Sequence, residues 1–357
     1  MRRLIVSFVT LAALLLPQPV FAGQPPVGVV TNFGPNLAAV CHMPEGITID
    51  PTGNLYAASF AFQPTANICV ENRSGQIVDV IRVPAGKAGI ASLLGELFEP
   101  SQGLYVVDFA DGAPTNGRLL RVNVQTHAVK VLATGYSAPN AIAQDRHRNL
   151  FVSDSFLGAI FKVAPDGSSN TVWIQDPRLA PQPGGSPPFG ANGLAFDRNQ
   201  GFLYVATTSD SKIYRIPVEK DGSAGPLQLF ASGAAIDASQ QTTEALHGAD
   251  GIMFDTHGNL YVCANSAQHP APGLPGEIQV LSPGGKLIAR YDGVGQNDLD
   301  FPASLVFHGG FLYVTNLSLD IRLFGLPQAV DSQWAAQVKR HTVARIRARI
   351  PGAGNDD

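Results

Sequence analysis

Apolar positions in this chain come in short stretches broken by turns, and long helical periodicity is nearly absent. One pattern returns six times: an apolar stretch, a tight turn, then Leu-Tyr or Leu-Phe followed by small or β-branched residues. Its anchors are Leu55-Tyr56, Leu104-Tyr105, Leu150-Phe151, Leu203-Tyr204, Leu260-Tyr261 and Leu312-Tyr313, spaced 49, 46, 53, 57 and 52 residues apart. A strand-and-turn repeat of that period predicts the blades of a β-propeller. Each copy parses into four antiparallel strands. In the first copy these are Gly46 to Asp50, Asn54 to Ser59, Asn67 to Glu71 and Ile77 to Val83. Third strands fall at Leu119 to Val124, Ala159 to Ala164, Lys212 to Val218 and Glu277 to Ser282. Several are followed by turn pairs such as Asp166-Gly167 and Asp221-Gly222, which tolerate positive φ.

The sixth copy lacks a fourth strand. After Leu312 to Asn316 only Thr342 to Ile350 resembles a strand, and Pro351-Gly352 ends it. The unused strand of the chain is Val27 to Phe33. It is expected to complete the sixth blade, closing the ring and removing open sheet edges. The expectation is an all-β, six-bladed propeller over residues 23–351, with 352–357 as a frayed tail. A radial repeat also suits the length, because about 330 residues are many for one core.

Loop lengths separate two faces. Turns between first and second strands are short, as in Asp50-Pro51-Thr52-Gly53-Asn54. The long connections, 176–191, 233–249, 265–276 and 317–341, share the opposite face. Long loops without regular structure are often functional. The working face is therefore the one where each innermost strand begins.

At that face one register is informative: the residue ten before each anchoring Leu, corrected by one for the turns of the fourth and sixth copies. It reads Glu45, Leu94, Asn140, Asn192, Asp250 and Ala303. Equivalent positions of innermost strands face one another around an axis. Two carboxylates and two amide carbonyls form a hard oxygen set of charge −2, suited to one divalent cation, Ca²⁺ above all. Without a cation the two acids would repel. Asn-Gly and Asp-Gly are also ordinary turn signals, and propeller channels are often polar. Four such residues in register favour the metal reading. His247 and His42, each three residues before a carboxylate of the set, are candidate bases, His247 as a possible accessory one. His147 and His257 fall in short turns of the other face.

The ends and the charge add to this. Arg2 and Arg3, the apolar run Leu4 to Leu16 and Val20-Phe21-Ala22 read as a signal peptide over 1–22. The run is short for a membrane span, so the protein is expected to be exported, periplasmic or extracellular, with no stable membrane insertion after cleavage. Removing two arginines and no acid takes the formal charge from −4 to −6. No clustered basic face for nucleic acid exists, and Arg345, Arg347 and Arg349 read as the wet face of a strand. Of three cysteines, Cys41 and Cys69 share a repeat and are the candidate disulfide, with three buried thiols as the alternative. No G-x-S-x-G elbow or P-loop occurs.

Pro44-Glu45-Gly46, Pro139-Asn140-Ala141, Ala191-Asn192-Gly193-Leu194-Ala195-Phe196 and Ala249-Asp250-Gly251-Ile252 resemble signatures of the senescence marker protein, gluconolactonase and luciferin-regenerating enzyme superfamily. The resemblance spans roughly residues 27–351. It implies a Ca²⁺-type cation held by Glu45, Asn140, Asn192 and Asp250, and hydrolysis of a lactone or similar cyclic ester, a small-molecule substrate. It also implies that Asp250 is both ligand and proton-transfer group. Leu94 and Ala303 depart from the polar ring, and no residue matches the family's substrate-binding arginine. Two other classes stay open: a non-catalytic propeller binding a protein or peptide on its loop face, and a lyase or a condensing enzyme like strictosidine synthase.

Overall fold

The computed structural model describes residues 28–267, 276–292, 299–319 and 341–348. The signal segment 1–22 and the tail 352–357 lie outside them. The described chain forms six four-stranded antiparallel sheets arranged as a propeller. The innermost strands are Pro44–Ile49, Leu93–Glu99, Pro139–Gln144, Ala191–Phe196, Ala249–Phe254 and Pro302–His308. The short turns have a shared chemistry. Asp50, Asp145 and Asp255 each accept two backbone N–H groups from the turn that follows, as Asp50 does from Thr52 at 2.8 Å and Asn54 at 2.9 Å. A carboxylate that caps its own turn holds the hairpin without help from another blade.

The ring closes as expected. Val30–Phe33 pairs antiparallel with Val343–Arg347, Val30 opposite Ile346 and Phe33 opposite Val343. Arg345 corrects the reading of a wet face. It is half-buried, and its guanidinium lies over the rings of Phe33 (5.3 Å) and Phe311 (4.9 Å), pinning the closing strand through cation–π contact. Cys41 and Cys69 are joined by a disulfide, while Cys263 is a buried free thiol. The disulfide ties the chain entering blade 1 to that blade's third strand.

The long connection 233–249 is not without regular structure. Gly233–Gln240 is an α-helix that ends at Gln241 in the left-handed region (φ 53°). Three alanines in eight residues favour the helix, and Ile236 is buried beneath it. Two turns are too few to leave a periodic signal in the sequence. No helix among the described residues is long and apolar enough to cross a membrane.

Each innermost strand carries the same irregularity. Pairing skips between Pro44 and Ile47, so Glu45 and Gly46 together oppose the single residue Ala58. The same two-against-one bulge holds Leu94, Asn140, Asn192, Asp250 and Ala303 in the other blades. The residue after each is small because the next blade presses on it. A Cβ on Gly46 would come within 2.1 Å of the Leu94 carbonyl oxygen, and one on Gly193 within 2.3 Å of that of Asp250. Neither glycine has positive φ, so close approach and not turn geometry selects it. Side-chain hydroxyls bind blades at the same level. Ser153 accepts from the bulged N–H of Ala141 and donates to the Asn192 carbonyl. Thr315 accepts from Ser304 N–H and donates to the Glu45 carbonyl at 2.5 Å, across the closing junction.

Beside that junction Glu71 is fully buried with neither carboxylate oxygen hydrogen-bonded, and a Cβ on Gly34 would meet its Oε2. Burial raises its pKa from 4.5 to about 8. The sign follows. Between these values the unfolded chain has released the proton and the folded chain still holds it, so stability falls as pH rises through this window. Glu71→Gln is expected to match the parent near pH 4.5 and to exceed it by about 2–4 kcal/mol at pH 8. Denaturant unfolding of both proteins at the two pH values checks this; a constant difference would show that Glu71 is ionised in the fold.

Candidate metal centre at the channel mouth

The six bulges bring one register into a ring at the end of the channel where the long loops lie. Glu45, Asn140, Asn192 and Asp250 all come to that level and all are at most 4% exposed. The bulge is what turns them there, because the extra residue re-aims a side chain that regular pairing would send into a blade.

Their electrostatics are those of charges held without solvent. Burial raises the Glu45 pKa well above the carboxylate range, and the neighbouring Asp250 and Glu96 raise it further. Asp250 is also raised, chiefly by burial, against the opposing pull of Asn265 and Asn192. Asn265 donates from Nδ2 to Asp250 Oδ2 at 2.9 Å. Asn192 donates from Nδ2 to Thr208 Oγ1, which in turn donates to the Ala249 carbonyl. Asn192 stands close enough to Asp250 to favour its ionised form, yet Asp250 Oδ1 accepts no hydrogen bond of good geometry. Glu45 Oε2 is likewise buried without a partner. Unpaired buried carboxylate oxygens are costly, and a hard cation relieves both the desolvation and the repulsion at once. Among the described residues no three His, Cys, Asp or Glu side chains cluster well enough to hold an ion alone. A cation here must therefore draw on the carbonyl oxygens of Asn140 and Asn192 as well as the two carboxylates.

His247 is not gathered into this ring. It pairs through Nδ1 with Glu244 Oε2 at 2.7 Å, with its side chain 45% exposed. His42 is exposed and meets the ring of buried His341 edge-on at 4.3 Å. Burial and the His42 charge lower the His341 pKa to about 4.

Three features escape a reading of the ten-residue register. Glu96 lies two residues beyond Leu94, where the other blades have Ile47, Ile142, Leu194, Ile252 and Leu305, and neither of its oxygens has a partner. The same comparison made two residues further on would have found it. Asn265 leaves no signal, since it is the first residue of a loop. The third is a group of phenylalanines. Phe60, Phe109, Phe189 and Phe301 are buried in one cluster with Leu94 and Ala303, and Phe62 and Phe156 pack against it partly exposed.

Among curated proteins none matches the sequence. The structure is similar to a luciferin-regenerating enzyme (TM-score 0.61, 16% identity, 92% of this chain and 98% of that one). It is similar to a gluconolactonase from Xanthomonas campestris (0.57, 16%, 92% and 99%). A calcium-binding regucalcin from Agrobacterium tumefaciens is comparable (0.59, 15%, 91% and 96%). At such identities these likenesses establish the six-bladed fold. Residues 186–317, which include Asn192 and Asp250, match the SMP-30/Gluconolactonase/LRE-like region. The resemblance seen in the short motifs is thus matched over residues 186–317, in blades 4 to 6, and the chain shares the six-bladed propeller fold of these solved structures.

Proposed function

We propose that this propeller is a metal-dependent hydrolase that opens a lactone or related cyclic ester. The observation that carries the reading is the pair of buried, unpartnered oxygens, Glu45 Oε2 and Asp250 Oδ1, set in one ring with Asn140 and Asn192. These four side chains would hold the cation, most simply Ca²⁺. When bound, it would polarise the ester carbonyl and stabilise the negative charge that grows on its oxygen.

The chain's own groups do the rest. Asn265 holds Asp250 through Oδ2, which orients its carboxylate toward the ring, where it would serve as a ligand and accept a proton from the attacking water. Water oxygen bonds to the carbonyl carbon, Asp250 takes the proton, and the ring C–O bond then breaks. The departing alkoxide takes that proton back from Asp250, which returns to the carboxylate, and a hydroxy acid leaves. The Cys41–Cys69 disulfide supports the further reading that residues 1–22 export the protein to an oxidising compartment, periplasmic or extracellular.

Calorimetry and metal analysis test the centre. The parent protein is expected to bind one Ca²⁺ per chain and to melt higher with it, about 2.7 kcal/mol of stabilisation at a hundredfold excess over Kd. Asp250→Ala is expected to lose both effects. A parent that binds no divalent ion would sink the hydrolase reading. Asp250→Asn separates structure from chemistry. Without metal it relieves the crowding with Glu45 and melts higher than the parent. With metal, turnover falls about 10²–10⁴-fold. Unchanged turnover would remove Asp250 from proton transfer.

A further inference from the structure

The ring is polar, but the layer above it is aromatic. Phe60 and Phe62 follow the second strand of blade 1, Phe109 that of blade 2 and Phe156 that of blade 3, and Phe189 precedes blade 4. Their rings form one connected group. Phe60 meets Phe62 at 4.6 Å and Phe109 at 5.4 Å, Phe109 meets Phe156 at 5.7 Å, and Phe156 stacks on Phe189 at 5.8 Å. The group reaches down to the ring itself, because the two apolar register residues, Leu94 and Ala303, belong to the same cluster. Two of the bulky side chains sit on backbone that such residues rarely adopt, Phe62 at φ 51° and Phe301 at φ 53°. Strained positions of this kind gather at binding sites.

Several polar side chains beside the aromatic layer are already committed to the protein. Asp154 accepts from the N–H groups of Ser137 and Ala138. Asp108 accepts from Ser92 N–H and holds Arg118, whose guanidinium also donates to the Pro84 carbonyl. Ser155 donates to the Ala191 carbonyl. A sugar lactone brings several hydroxyls into the site, and each one buried against phenylalanine without a partner costs about tenfold in affinity or more. An aryl or alkyl lactone brings none and gains from covering the rings.

We propose that the substrate is an apolar lactone carrying an aryl or alkyl group, and that Phe62 and Phe156 at the partly exposed edge of the aromatic layer select it over polyhydroxylated sugar lactones. The proposal rests on the hydrolase reading for turnover but not for binding, so the test has both readouts. The calcium-loaded chain is titrated by calorimetry with 3,4-dihydroquinolinone, a lactam that it cannot readily hydrolyse, and with gluconolactam. Rates are measured with dihydrocoumarin and glucono-δ-lactone. The expected result is binding of the aryl lactam at least about a hundredfold tighter than gluconolactam, with the same order in kcat/KM for the two lactones. Phe62→Asn and Phe156→Asn, both at partly exposed positions, are each expected to weaken aryl lactam binding roughly tenfold while Ca²⁺ binding is unchanged. Aryl lactam binding without turnover of either lactone would uphold the aromatic selection and overturn the hydrolase reading. Equal or tighter binding of gluconolactam, no binding of the aryl lactam, or no effect of either substitution would overturn the proposal.

Discussion

The structure depends on how closely six innermost strands can crowd one axis. Their backbones touch where a glycine of one strand meets the carbonyl of the next, as Gly46 meets Leu94 and Gly193 meets Asp250. A side chain at these contacts would push the strands apart. Because the contacts fall at the bulges, the same crowding that sets the diameter of the ring also aims Glu45, Asn140, Asn192 and Asp250 at one level. Packing and candidate chemistry are therefore one constraint.

Burying two carboxylates at that level works against folding. The remaining parts of the blades offset it with aliphatic and aromatic packing between sheets and with aspartate-capped turns on the far face. The division of labour is spatial. The turns of the far face are short and capped by their own aspartates, with buried Glu71 beside them as the exception, and the near face holds the unsatisfied oxygens of Glu45 and Asp250 beneath a cover of phenylalanine. Sites that bind ions or do chemistry are commonly where a fold accepts such local cost.

The fold was legible because a propeller repeats its grammar. Six Leu-aromatic anchors, short first turns and a missing fourth strand in the last copy sufficed for blade number and closure. The ring was legible for the same reason, since counting back from an anchor survives small differences in turn length. What repetition cannot reveal is whatever occurs once. Glu96 stands at a position that is aliphatic in every other blade. Asn265 comes from a loop of no fixed pattern. The two-turn helix at Gly233–Gln240 is too short for a periodic signal. Arg345 looks solvent-facing in an alternating strand, and only the meeting of Phe33 and Phe311 in space shows otherwise. The Asn-Gly and Asp-Gly pairs were ambiguous because a turn and a close backbone approach both ask for glycine.

The junction between Val30–Phe33 and Val343–Arg347 has a consequence for the order in which the protein matures. The partners are separated by almost the whole chain, so the first strand made must wait for the last before it can pair. Thr315, which anchors the Glu45 carbonyl, is contributed by the same late blade. A nascent chain emerging from synthesis or translocation can build blades 2 to 5 from local hairpins as they appear. Glu45 gains its final seat only when the end of the chain arrives, so the ring of oxygens becomes complete in the step that completes the protein.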